Sequence, residues 1–232
     1  MTNMNTIRHI AVIPDGNRRW AKAKGLPVIE GHRIASEKIL PDLIQKSSDL
    51  GISYFTFWAL STENLKERTK VEIDNLFSLM RIFLNRRLVE FKKKGVKLKV
   101  IGNIKELPND LQKSIEKAIN ETKNNKKITL ILAINYGGKD EIIRAIKKIR
   151  NSKFEIQNLK KDDFKQFLDT AGIPDPDLII RTGGEKRLSG FMLWQSEYSE
   201  LYFFDKYFPD FSTQELEKAI QNYLLRQRRF GK

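Results

Sequence analysis

Asp15 is the one acidic residue in "PDGNRRWAKAKG" (14–25), and Arg18, Arg19, Lys22 and Lys24 follow it closely. A carboxylate so placed either caps the helix that follows, through backbone N–H groups, or belongs to an anion site. Three more polar stretches carry related chemistry: "STENL" (61–65), "NYGGKDE" (135–141) and "RTGGEKRLSG" (181–190). Gly16 and the pair Gly183 and Gly184 let backbone N–H groups point into a concavity, which suits phosphate oxygens. Arg18, Arg19, Arg181 and Arg187 add guanidinium forks, and Ser189 adds a hydroxyl donor. That capacity exceeds one phosphate and fits two diphosphates. A carboxylate beside diphosphates needs a hard cation between them, and Mg²⁺ is held by one or two carboxylates together with substrate oxygens. Asp15, and Glu200 in "YSELYF", are the candidates. His32, after Gly31, is either a helix-start residue or a phosphate contact.

Composition removes several alternatives. There is no cysteine, which excludes disulfides, thiolate metal sites and a thiol nucleophile, and two histidines are too few for a histidine-built zinc centre. No Walker A motif, dinucleotide fingerprint or Gly-x-Ser-x-Gly elbow occurs. The formal charge of +14 is spread along the chain, and "FKKKGVKLK" (91–99) reads as a solvated helix end and strand face. A nucleic-acid surface would set exposed aromatics among the lysines, a pattern not seen here, so no nucleic-acid partner is expected. No run reaches the roughly 18 apolar residues of a membrane span, and a cytoplasmic location is expected.

These groups must be positioned by strands and helices. Strands are expected at 7–13, 52–60, 96–102, 128–135, 177–182 and 191–195, several of them apolar on both parities, as in strands buried on both faces. Helical spacing between them implies an α/β fold with a mostly parallel sheet and one domain over residues 1–232. Ligands bind outside the carboxyl ends of such strands, so all four polar stretches should gather on one rim. Pro41 should kink or break the helix at 33–50. The helix at 70–93 carries Ile73, Leu76, Phe77, Met80, Leu84, Leu88 and Phe91, with Leu79, Ile82, Phe83 and Val89 beside them. That apolar face is wider than one sheet contact needs and reads as either a doubly buried helix or a cavity wall. A last helix spans about 212–229. Apolar wall plus diphosphate sites suggest an isoprenoid substrate.

The motifs "HIAVIPDGNRRWAKAKG", "GHR", "STEN", "INYGGKDEI" and "PDLIIRTGGEKRLSGFMLWQSEYSELYF", in this order from about residue 8 to the C-terminus, resemble the cis-prenyltransferases, specifically bacterial undecaprenyl diphosphate synthases. The resemblance implies a homodimer built on a six-stranded parallel sheet. It implies repeated condensation of isopentenyl diphosphate onto farnesyl diphosphate with Mg²⁺, and release of the product at the membrane. By position, Asp15 matches the essential carboxylate, and Gly16, Asn17, Arg18, Arg19 and Trp20 the allylic diphosphate loop, with His32 beside it. Asn64, within Ser61, Thr62 and Glu63, matches a residue assigned to proton removal. Arg181, Arg187, Leu188 and Ser189 match the isopentenyl diphosphate site, Asp15 and Glu200 the metal ligands, and Arg229 and Gly231 a C-terminal element that completes the site across the dimer. Pro14, Val28, Ala35, Leu65, Glu67 and Gly190 depart from the pattern. Val28 and Glu67 stand where arginines are usual, and Lys24 or Arg68 is expected to restore the lost charge. Retention of Asp15, Asn64, Arg181, Arg187 and Glu200 argues against a non-catalytic partner subunit of the same fold.

Overall fold

Five of the six expected strands form where the β-branched and aromatic runs stand. In the computed structural model, which describes residues 7–226, they are β1 (His9–Ile13), β2 (Tyr54–Ser61), β3 (Val96–Ile101), β4 (Ile128–Tyr136) and β5 (Leu178–Arg181). The sixth, β6, is Glu200–Phe203 and not the expected 191–195. Residues 191–195 lie in consecutive turns, where Ser189, Gly190 and Met192 have φ of 51°, 85° and 47°. Phe191 is fully buried there, stacked on Trp58 at 4.8 Å and edge-on to Tyr136. The apolar run thus marks a buried loop. All pairings are parallel in the order β3-β4-β2-β1-β5-β6, a central six-stranded sheet flanked by helices.

Burial on both faces explains the near-continuous apolar strands. Leu130, Leu132 and Ile134 of β4 join one core with Phe55, Leu98 and Ile180, while Ile131 and Ala133 join a second with Ile13, Ile179 and Phe191. β2 breaks the alternation: its pairing with β4 shifts between Trp58, Leu60 and Ser61, a bulge at the end nearest the polar motifs. β3 is an edge strand, and Lys97 and Lys99 on it discourage pairing with another chain.

The helices are α1 (Asn17–Ala23), α2 (Val28–Ile34), α3 (Leu40–Asp49), α4 (Thr62–Glu67), α5 (Lys70–Lys94), α6 (Asn109–Thr122), α7 (Gly138–Arg150), α8 (Lys161–Lys165) and α9 (Thr213–Leu224). Pro41 does not break its helix. A π-helical segment, Ala35–Ile39, joins α2 to α3, with the Leu40 N–H donating to the Ala35 carbonyl. Pro41 has no N–H to offer the Glu37 carbonyl, and Arg87 of α5 donates to it instead at 2.5 Å. α5 starts at a reciprocal cap between Thr69 and Glu72 and ends at Gly95, whose φ of 70° reverses the chain into β3. Of its expected apolar face, Ile82 and Val89 are exposed, and the remainder turns inward. Ser212 caps α9, which ends earlier than expected. No helix among the described residues is long and apolar enough to cross a membrane.

Candidate active site

Parallel pairing brings the carboxyl ends of β1, β2, β4 and β5 together, and a cavity of about 650 Å³ opens beside them. Its walls are apolar. Leu76, Leu79, Met80, Phe83 and Leu84 come from α5, Ala35 and Leu40 from the π segment and α3, and Leu132 and Ile134 from β4. Phe57, Trp58, Ala59 and Leu60 all reach it, four consecutive residues that a regular strand would divide between two faces; the β2 bulge makes this possible. The mouth is polar, formed by Asp15, Gly16, Asn17, Arg18, Arg19, Lys22, His32, Ser61, Glu63, Asn64, Arg68, Arg181 and Ser189.

Asp15 follows β1 in a tight turn, its N–H on the Ile13 carbonyl, and its own carbonyl accepts from the Thr182 hydroxyl at 2.7 Å and the Phe208 N–H at 3.0 Å. The carboxylate does not cap α1, whose N-cap is Gly16. Instead Oδ2 accepts from Arg181 Nη2 at 2.8 Å, and Oδ1 pairs with Arg19 at 3.2 Å. Gly16 has φ of 99° and lies so close to Tyr207 that a Cβ would meet its ring at 2.5 Å. Arg181, almost fully buried, also donates through Nη1 to the Arg187 carbonyl at 2.5 Å and the Ser189 hydroxyl at 2.7 Å. One guanidinium thereby ties β5, the 187–189 loop and Asp15 together.

Opposite them, Ser61 caps α4 by accepting from the Asn64 N–H at 3.0 Å, which fixes the short turn that carries Glu63 and Asn64 into the mouth. Arg18 pairs with Glu72 at 3.1 Å, the residue that also closes the cap of α5. His32 holds a buried Nε2 without a hydrogen-bond partner among the described residues; burial first, then the charges of Arg68 and Arg18, lower its pKa to about 4, so it is neutral near pH 7. "NYGGKDE" reaches the same rim but stands behind it. A Cβ on Gly137 would touch Thr62, and the Gly138 N–H donates to the Gly190 carbonyl at 2.8 Å.

Several expected residues stand elsewhere. Trp20 is buried against the far side of α1, donating from Nε1 to Asp210 at 2.8 Å. Thr62 is buried behind the mouth, and Arg187 is exposed on Glu185 at 2.5 Å with Leu188 beside it in the second core. Lys24 lies over the Trp20 ring at 5.0 Å, outside the cavity, whereas Lys22 and Arg68 line it. Arg229 and Gly231 lie outside the described residues. Glu200 does not meet Asp15 in one chain: it pairs in register with Leu178, at the opposite end of β5 from Arg181, and bonds Arg226 at 2.6 Å. No group of three or more His, Cys, Asp or Glu able to hold a metal occurs among the described residues. The donor set among the described residues therefore fits a cation held by Asp15 and ligand oxygens rather than an all-protein cage. Sequence reasoning missed Glu72 and Tyr207, which orient Arg18 and, at 5.2 Å, Arg19. Glu72 carries a local signal only for the cap of α5, in the Thr69-x-x-Glu72 spacing, and Tyr207 carries none; their contacts with Arg18 and Arg19 are made across the fold.

A family model described as undecaprenyl diphosphate synthase matches residues 13–231. A chloroplastic nerylneryl diphosphate synthase of Solanum lycopersicum is 47% identical over 97% of this chain and 70% of its own length. A farnesyl-diphosphate-specific ditrans,polycis-undecaprenyl-diphosphate synthase of Micrococcus luteus is 42% identical over 97% of this chain and 91% of its own. Among solved structures, lavandulyl diphosphate synthase of Lavandula x intermedia in complex with dimethylallyl diphosphate superposes with a TM-score of 0.94 at 36% identity, covering 99% of this chain and 100% of that one. The chain belongs to the cis-prenyltransferase family and is a prenyl-transferring enzyme of the polyprenyl diphosphate synthase type.

Proposed function

We propose that the whole chain acts as one catalytic domain that condenses isopentenyl diphosphate repeatedly onto farnesyl diphosphate, with Mg²⁺, to make a long cis-polyprenyl diphosphate. Undecaprenyl diphosphate, the lipid carrier precursor for cell-wall polysaccharides, is the product we assign, in keeping with the name of the matched family and of the Micrococcus relative. The observation that carries the reading is the pairing of a guanidinium-rich mouth with an apolar cavity: one end suits diphosphates and the other suits hydrocarbon.

Arg18, Arg19 and His32 would hold the allylic diphosphate, and Arg181 with Ser189 the isopentenyl diphosphate. Bound at Asp15 and diphosphate oxygens, Mg²⁺ would neutralise charge growing on the leaving group. As the allylic C1–O bond breaks, the guanidiniums face the oxygen that gains charge, while the apolar walls exclude water from the carbon that loses it. The double bond of isopentenyl diphosphate forms the new bond to C1, one proton leaves the adduct, and diphosphate is released. Asn64 carries a neutral amide and both oxygens of Asp15 already pair with guanidiniums, so we assign the proton to the released diphosphate, with Asn64 orienting it. Each added five-carbon unit enters the cavity with a gain of about 0.8 kcal/mol per buried CH₂, which keeps the growing chain bound.

Glu200 sits on the sheet edge, so its share in the metal would come from the second copy in a homodimer. The reading places the enzyme in the cytoplasm, touching the membrane to release product; exposed Val89, with Lys92 and Lys93 one turn further along α5, supports a surface for that contact. The test is incubation with farnesyl diphosphate, labelled isopentenyl diphosphate and Mg²⁺, with and without EDTA, beside Asp15→Ala. A metal-dependent polyprenyl ladder that Asp15→Ala loses supports the reading. No product from the unsubstituted protein would overturn it in favour of a non-catalytic subunit.

A further inference from the structure

One backbone carbonyl behind the cavity wall is served from a different helix. In a regular helix the N–H of residue 41 would bond the Glu37 carbonyl, and Pro41 has none. Arg87 of α5, fifty residues away in sequence, donates to that carbonyl through Nη2 at 2.5 Å. Through Nη1 the same guanidinium donates to Glu90 Oε2 at 2.5 Å, a carboxylate that Lys94 shares. Arg87 is therefore braced on its own helix while it reaches across. Its neighbour Arg86 is exposed and meets the Glu37 side chain instead, at 3.8 Å.

Glu37 lies in the π turn Ala35–Ile39, and that turn decides which side chains face the hydrocarbon. An α-helix repeats every 3.6 residues, so residues five apart point in different directions. A π turn closes between residues five apart, here with the Leu40 N–H on the Ala35 carbonyl, and sets them on one side. Ala35, Ser36 and Leu40 accordingly all line the cavity, together with Leu79, Met80 and Phe83 of α5. Upstream, a Cβ on Gly31 would fall 2.0 Å from the Asn17 carbonyl, so α2 sits hard against the start of α1 and has little room to slide. A disturbance at Glu37 must be taken up within the turn.

We infer that Arg87 is a positioning residue: by occupying the Glu37 carbonyl in place of the N–H that Pro41 lacks, it holds the π turn that keeps Ala35 and Leu40 together on the cavity wall, and so sets the room open to the growing chain. The inference rests on the proposed function for its effect on product. Arg87 is not among the described residues that line the cavity, so it acts through the turn alone. Without its donor, a part-buried carbonyl is left unpaired, which is costly. The carbonyl then turns to the next N–H along the helix, that of Asp42; the π turn moves with it, and Leu40 rotates off the wall.

The experiment compares Arg87→Met, Arg87→Lys, Arg86→Met and the double variant Pro41→Ala with Arg87→Met against the parent, by product ladder, by kinetics in each diphosphate and by thermal melts. Arg87→Met should shift the main product towards longer chains by at least one five-carbon unit, with both KM values near the parent. Arg87→Lys, which keeps a donor, and the double variant, which supplies the N–H at residue 41, should each return the ladder towards that of the parent. Arg86→Met removes the same charge one residue away and should leave the ladder unchanged. Arg87→Met should melt roughly 2–6 °C below the parent, and the added Pro41→Ala should recover most of that loss. A parental ladder in folded Arg87→Met, an equal shift in Arg86→Met, or no rescue by Pro41→Ala overturns the inference, while parental turnover leaves the proposed function standing. If the parent makes no product, the proposed function fails separately and the melts decide: recovery by Pro41→Ala sustains the hold on the turn, and an equal loss with and without it overturns the inference.

Discussion

Replacing Gly16 with alanine tests whether the tight loop after β1 is what holds the site in shape. The glycine has φ of 99°, beyond the narrow left-handed well near +50° to +70° open to other residues, and a new Cβ would lie 2.5 Å from Cδ1 and 3.0 Å from Cβ of Tyr207. Gly25 offers a matched control on the same stretch of chain, with φ of 65° and nothing within 4 Å of an added Cβ. Alanine at Gly25 costs about 1 kcal/mol, a left-handed penalty partly offset by the loss of unfolded-state freedom. At Gly16 the greater backbone strain and the displaced ring raise this to roughly 2–4 kcal/mol. For a chain of this size the melting temperature should fall by roughly 5–15 °C for Gly16→Ala and by only about 2–4 °C for Gly25→Ala. Kinetics should separate them further. Tyr207 packs on Arg19, and the next residue, Phe208, donates its N–H to the Asp15 carbonyl, so moving that ring moves groups proposed to hold the allylic diphosphate. Gly16→Ala should raise the farnesyl diphosphate KM and lower kcat, with Gly25→Ala near the parent in both. Equal melting shifts, or normal kinetics in Gly16→Ala, would refute the argument.

Leu79→Trp, which adds bulk to the cavity wall, should shift the product ladder towards shorter chains on thin-layer chromatography, whereas Val89→Trp on the exposed side of α5 should leave the ladder unchanged. Gly138→Ala would set a Cβ 2.7 Å from the Gly190 carbonyl and 2.8 Å from Leu193, displacing the Ser189 loop; the KM for isopentenyl diphosphate should rise more than that for farnesyl diphosphate in paired kinetics. His9 is buried between the Pro174 carbonyl and the Thr56 hydroxyl, and burial lowers its pKa to about 4, as it does for His32. The unfolded chain protonates both near their ordinary value of about 6.5 and so binds more protons than the folded one as pH falls. Their stability contribution is therefore full above about pH 6.5 and lost between there and pH 4, with each imidazole adding at most about 1.4 kcal/mol per pH unit. Urea denaturation across that window should show this slope, and His9→Gln should roughly halve it.

How far the sequence reached can be followed through particular residues. Alternation and β-branched content located five strands because parallel strands buried on both faces leave a local signature. The same signal misled at "FMLWQ", since apolar content reports burial but not conformation, and positive φ at Ser189, Gly190 and Met192 follows from what the loop packs against. Pro41 announced a disturbance in its helix, yet the π turn that absorbs it depends on Arg87, distant in sequence.

The four polar motifs, the absence of cysteine and the wide apolar face of α5 lie in residue types and short spacings, and the sequence alone determined them, along with the parallel α/β class. Tertiary structure decided which of those groups share a space. It set Arg181 on Asp15, turned Trp20 and Lys24 away from the cavity, separated Glu200 from Asp15 by the width of two strand pairings, and left the Arg68 Nε without a hydrogen-bond partner among the described residues. The reason is physical: propensity and periodicity act within a few residues, whereas a side chain's partner is set by crossovers, bulges and helix ends that bring distant segments into contact.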